Sequence, residues 1–152
     1  MERGGSSRAT SFLSRGGSCR VPPDDTFRKN PWLKVVSSGY LDTGVWNPME
    51  TLVHTNGPWM ADLVVCILES LTHIPANEFH NDIYLAVVKD HTGKMCCKIE
   101  YKIFDDAKWQ GKIVPGVALI LTKVVVWREP PTSATLNITL NNLENVIGLT
   151  DE

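Results

Sequence analysis

Between residues 95 and 103 apolar and polar positions alternate strictly. Met95, Cys97, Ile99, Tyr101 and Ile103 fall on one face, and Cys96, Lys98, Glu100 and Lys102 on the other. A period of two marks a strand buried on one side. Upstream, DIYLAVVK at 82–89 predicts a partner strand. Asp90-His91-Thr92-Gly93 joins the two as a tight turn, with Gly93 expected at positive φ. The stretch MADLVVCILESLTH at 60–73 is different: a continuous apolar run with a polar end. Its length fits a strand or a helix, and its β-branched content and the loop-like IPANEFHN at 74–81 favour a strand. Pro115-Gly116 opens a fourth predicted strand, VALILTKVVVW at 117–127, and Glu129-Pro130-Pro131-Thr132 comes next as a loop. TLNITL at 135–140 alternates Leu136, Ile138 and Leu140 against Asn137 and Thr139, which predicts a fifth strand, and residues 141–149 close the domain. DDAKWQGKI at 105–113 breaks the pattern, with Asp105 placed to cap a short helical turn.

Three strands, a short helix and two strands is the order of an OB-fold, a five-stranded Greek-key barrel. An SH3-like barrel lacks a helix at that point. The expected class is therefore mainly β, with the barrel over 59–149. Before it, residues 27–58 show no sustained period. Phe27, Trp32, Leu33, Val35, Val36, Tyr40, Leu41 and Trp46 are interrupted by Pro31, Gly39, Gly44, Pro48 and Pro58. This predicts an ordered arm, extended or short-helical, held to the barrel by its aromatics. Residues 1–26 are rich in Gly, Ser, Arg and Pro, too poor in apolar surface to offset the entropy of ordering, and are expected to be disordered. A mitochondrial transit peptide is the rival reading, disfavoured by the glycines.

Charge sharpens the picture at the ends. The chain carries a formal −2, but Arg3, Arg8, Arg15 and Arg20 against Glu2 give the first 20 residues +3, leaving −5 elsewhere. A basic tail on an acidic body fits proteins that visit nucleic acid, and equally a solvated leader. Cys66, Cys96 and Cys97 lie in strands, the last two on opposite faces. Without a CxxC pair no zinc site is expected. No apolar run reaches about 18 residues, so no membrane span is expected. The N-terminus lacks the apolar core of a secretory signal, which points to a reduced compartment. His54, His73, His80 and His91 are scattered without metal spacing, Asp105-Asp106 is explained by capping, and no Walker loop or GxGxxG occurs. The expectation is a binding protein, not an enzyme, with no cofactor, metal or small-molecule substrate.

Binding chemistry is better supplied. Lys89, Lys94, Lys98 and Lys102 lie along strands two and three and their turn, the face OB-folds use for oligonucleotides. These lysines are expected to meet phosphates, with His91 at the hairpin tip and Trp109 and Trp127 near the rim as aromatics for stacking on bases. Against this, Glu100, Asp82, Asp90, Asp105 and Asp106 weaken the field. The alternative is a protein-interaction module with little DNA affinity, docking a partner through Trp32 and Leu33 of the arm.

Five blocks then carry a resemblance: FRKNPWLKVV at 27–36, ADLVVCILESLTHI at 61–74, VVKDHTGKM at 87–95, VPGVALILTKVVVW at 114–127 and LNITLNNLENVI at 136–147. In order and spacing they resemble the C-terminal region of the homologous recombination OB-fold proteins. The most specific pieces are Pro31-Trp32-Leu33, Lys89-Asp90-x-Thr92-Gly93, and Leu136-Asn137-Ile138-Thr139 with Asn141-Asn142. The resemblance implies a nuclear DNA-repair factor that binds single-stranded DNA. It further implies support of an MCM-family helicase during repair synthesis, in interstrand crosslink repair and in meiosis. Relatives place helicase recruitment largely in a long N-terminal region. Here residues 1–26 precede the similar region, so a shortened member keeping the barrel is expected. His91 stands where many relatives have proline, and the loop at 75–81 is longer than usual.

Overall fold

A computed structural model of the protein describes residues 25–128 and 134–148. All but the last two residues of the expected disordered tail lie outside them. The long first strand, β1 (Trp59–Ile74), pairs antiparallel with two neighbours in turn. Its first half runs against β4 (Ala118–Arg128) and its second half against β2 (Ile83–Asp90), with Ile67 opposite both Ala118 and Lys89. A hairpin leads from β2 to β3 (Gly93–Ile99), which pairs parallel with β5 (Ala134–Ile138). β5 returns antiparallel to β4, so β1-β2-β3-β5-β4 closes on β1. This closed barrel, mainly β with few short helices, is the OB-fold predicted from the pattern. A short β6 (Leu143–Ile147) adds to the first half of β4.

The continuous apolar run in β1 has a direct cause: both of its faces are covered. Val64, Cys66 and Leu68 point into the barrel, while Leu63, Val65 and Ile67 point outward into a second core. That outer core is completed by Ala118, Ile120 and Ile147 and is roofed by Trp32 and Val35. The latter two belong to α1 (Trp32–Ser37), one of two short α-helices in the arm; the other is α2 (Met49–Leu52). Trp32 is only 3% exposed, and Met49 and Leu52 are buried in the barrel core.

Four expectations are corrected. The third strand stops at Ile99 rather than Ile103, and Tyr101–Asp105 turns into the helix α3. The reason is that its ladder runs out on both sides. Tyr84, one residue into β2, pairs with Ile99, and β5 ends at Ile138, whose carbonyl accepts the last bond from the Glu100 N–H. Asp105 therefore ends a helix instead of capping its start, and Lys102 lies on α3, not beside Lys98 on a strand face. Nor does Gly93 adopt a positive φ. The Asp90 carboxylate closes the turn itself, accepting from the Thr92 N–H at 2.7 Å.

β4 is bent where it changes neighbours. Lys123 sits at φ 51°, an uncommon value for a non-glycine residue, between the part paired with β6 and the part paired with β5. The Asn142 amide donates to the carbonyls of Thr122 at 3.1 Å and Lys123 at 2.9 Å, satisfying the bend. Its oxygen accepts from the Thr139 N–H and hydroxyl, so one side chain of the LNITLNN block ties three segments together.

Candidate nucleic-acid interface

The arm covers the outside of β1, β4 and β6 but leaves the outside of β2, β3 and β5 bare. On this face the register sets side chains in transverse rows. Leu85, Lys98, Asn137 and Val125 form one, and Val87, Cys96, Thr135 and Trp127 the next. Facing pairs across a ladder point the same way. Cys96 is accordingly exposed and Cys97 buried, as alternation requires.

The lysines divide into two groups. Lys94 Nζ lies 3.2 Å from Glu69 Oε1, and Lys89 Nζ lies 3.5 Å from the same oxygen and over the Phe27 ring at 5.8 Å. One carboxylate thus draws on both, and Lys89 is largely shielded from solvent. Lys98 is exposed and makes no ion pair with a described residue; Lys102 is exposed on α3.

Lys98 opens onto a cleft of about 340 Å³ between the β1–β2 loop, the end of β3 and the end of β5. His80, Asp82, Glu100, Tyr101 and Asn137 also line it. The loop is braced by its own side chains. Asn77 Oδ1 accepts from the N–H groups of Phe79 at 2.7 Å and His80 at 3.1 Å. Asp82 Oδ1 meets His73 Nε2 at 2.8 Å and accepts from the Ala76 N–H at 3.1 Å. The His73 hydrogen bond is the main cause holding the Asp82 carboxyl below its ordinary pKa. His73 stacks on Tyr84 at 4.4 Å, and Tyr84 on Phe104 at 3.7 Å, which fixes the loop's base to α3. The Glu100 carboxylate accepts from the Leu140 N–H at 3.1 Å. Both acids lining the cleft therefore have structural partners, whereas its lysine has no ionic one among the described residues.

A family model described as "Homologous recombination OB-fold protein" matches residues 61–149. The chain belongs to this family. No curated protein matches the chain. Among solved structures it is similar to a murine DNA-binding protein bound with double-stranded DNA, at 16% identity and TM-score 0.47. That match covers 67% of this chain and 48% of the other. It is also similar to the p204 HINb domain, at 14% identity and TM-score 0.45, covering 63% of this chain and 44% of the other. The chain spans about half the length of these solved chains.

In this member of the homologous recombination OB-fold family the Lys-Asp-x-Thr-Gly turn has a structural role. Asp90 is 2% exposed. One carboxylate oxygen accepts from the Met49 N–H at 2.9 Å, and the other from the Thr92 N–H and, at 2.6 Å, its hydroxyl. Thr92 Oγ1 in turn accepts from the Glu50 N–H at 3.0 Å. Two side chains of the turn thus serve the first N–H groups of α2, where helices need acceptors and favour negative charge. Arg128 fastens the segment after α2, donating to the carbonyls of Thr55 at 2.9 Å and Val53 at 2.7 Å. Reading the sequence missed this latch; its signal was an Asp two residues before a Thr in a turn.

The arm and the cores take up three of the other residues singled out from sequence, His91, Trp109 and Trp32. His91 stacks on Trp46 at 5.5 Å and meets Trp32 and Phe27 edge-on, so its ring is engaged by the arm. Trp109 is 5% exposed, within the core, with Lys108 Nζ 4.7 Å from its ring centre. Of the two arm residues, Trp32 is buried and Leu33 exposed. Among the described residues no group of three His, Cys, Asp or Glu side chains is placed to hold a metal ion.

Proposed function

We propose that this member of the family is a non-enzymatic, nuclear DNA-repair factor. It binds single-stranded DNA on the bare face of its barrel and supports an MCM-type helicase during recombination-linked repair synthesis, including crosslink repair and meiosis. The observation that carries the DNA part is the cleft beside Lys98. There an ammonium without an ionic partner among the described residues stands next to the Tyr101 and His80 rings and the Asn137 amide, while the neighbouring acids are held by backbone N–H groups and His73. A cation for phosphate beside rings for bases is the chemistry of single-strand binding. Lys102 extends the positive edge, whereas Lys89 and Lys94 contribute little beyond balancing Glu69. The helicase and the compartment rest on family membership.

The test is fluorescence anisotropy with a labelled oligonucleotide at low and moderate salt. Wild type is compared with K98Q/K102Q and with Arg3, Arg8, Arg15 and Arg20 all changed to Gln. Loss in the lysine variant supports the barrel face. Loss only in the arginine variant moves DNA to the tail, and no binding by wild type removes the DNA reading.

A second reading is favoured by one observation. Leu33 and Val36, one helical turn apart on α1, are both exposed, although Trp32 and Val35 of the same helix are buried against the barrel. A protein partner docking there is lost in L33D while oligonucleotide binding is kept.

A further inference from the structure

Two large aromatic side chains stand outside both cores, one next to the cleft-lining His80 and one in the strand row beside that of Lys98. Phe79, in the β1–β2 loop, is 85% exposed. Its backbone is fixed by the bond from its N–H to Asn77, and the Asn77 N–H donates to the His80 carbonyl at 3.0 Å, so the ring is displayed from an ordered turn. Trp127, near the end of β4, is 45% exposed and closes the row Val87, Cys96, Thr135, Trp127. Neither ring is stacked on another ring among the described residues. An exposed aromatic of this size has lost the burial that usually justifies it.

The bare face itself is mixed. Leu85, Val87 and Val125 alternate with Lys98, Asn137 and Thr135. A protein interface core would be more uniformly apolar and depleted of charge. A lysine and hydrogen-bonding side chains among small apolar platforms suit a chain of phosphates and bases. From Val87 to Trp127 the row crosses three strand intervals, about 14 Å, the length of about four stacked nucleotides.

Building on the DNA-binding reading above, we infer that unpaired nucleic acid crosses β2, β3, β5 and β4 between two stacking posts, Phe79 and Trp127, with Lys98 on the phosphates between them. The posts make the site selective for single strands, because a duplex interior offers no free base face. They make it tolerant of sequence, because every base has such a face.

Stacking and phosphate contact separate in their salt dependence. A labelled oligothymidylate of about 20 nucleotides is titrated with the full chain at several salt concentrations. F79A and W127A are each expected to weaken binding about tenfold with an unchanged salt slope. K98Q is expected to flatten the slope by about 0.7, and F79W to bind like wild type. In a C19S background, bound oligothymidylate should also slow alkylation of Cys96, which lies in the Trp127 row. Blunt duplex of the same length should compete poorly. The inference is overturned if both alanine variants bind like wild type, if they alter the slope as K98Q does, or if duplex competes equally. In those outcomes wild-type binding that still depends on Lys98 leaves the DNA-binding reading standing. A wild type that does not bind ends both.

Discussion

The barrel has two outer faces built from the same kind of strand, and they have opposite fates. On the β1/β4/β6 side, Leu63, Val65, Ile67, Ala118 and Ile120 are large or small apolar groups lying under Trp32 and Val35. On the β2/β3/β5 side, Cys96, Lys98 and Asn137 face outward with Leu85. The first face is written as unbroken apolar runs; on the second, β3 and β5 alternate, whereas β2 keeps apolar residues on both of its sides from Ile83 to Val88. The unbroken runs of β1 and β4 therefore record a second covering layer, and the alternation of β3 and β5 records a side left uncovered.

Thiol chemistry separates inside from outside most sharply. Burial pushes the Cys97 thiol up to about 12 and raises that of Cys66 as well. With its folded pKa raised, Cys97 stays protonated as pH climbs through the ordinary thiol range. In the native C19S protein at pH 8, Cys96 should react with an alkylating reagent about a thousandfold faster than Cys97 or Cys66, which wait for unfolding. Mass mapping of the labelled peptides reads this, and comparable rates at Cys96 and Cys97 would contradict the assignment of faces.

The covered face should be costly to open and the bare face cheap. W32A is expected to lose about 3–5 kcal/mol of stability, while L85A, on the exposed side, should stay within about 0.5 kcal/mol of wild type. Urea denaturation measures both, and equal effects would erase the distinction between the faces.

The latch is the smaller term. D90A leaves the Met49 and Thr92 N–H groups without their acceptor, and should cost about 1–3 kcal/mol. D90N, with one acceptor oxygen where two are used, should recover part of that. T92V should cost less than D90A, because the Glu50 N–H it frees is near solvent. A D90A protein as stable as wild type would mean α2 is held by Met49 and Leu52 packing alone.

Much of this was legible beforehand. β1, β2, β4 and β5 fall where the apolar pattern placed them, within a few residues, because each pairs along nearly its whole length. Strand three was read too long for a physical reason. Ile99, Tyr101 and Ile103 satisfy a period of two, yet Ile103 is buried just as well from α3, so pattern alone cannot mark the end. The lysines show the same limit. All four are alike in sequence, and only the approach of Glu69 distinguishes Lys89 and Lys94 from Lys98. The Lys98 cleft could not be read at all, since its walls come from three separated segments.

What the amino-acid sequence determined by itself is therefore the local part: which stretches are strands, which side of each is apolar, and the family these blocks belong to. Those properties are set by neighbours two positions apart and need no partner. The tertiary structure decided where ladders end, which charges are cancelled, and which apolar face is roofed. Asp90 meets Met49 across 41 positions, and Lys94 meets Glu69 across 25. Such contacts exist only once the barrel has closed and brought those positions together.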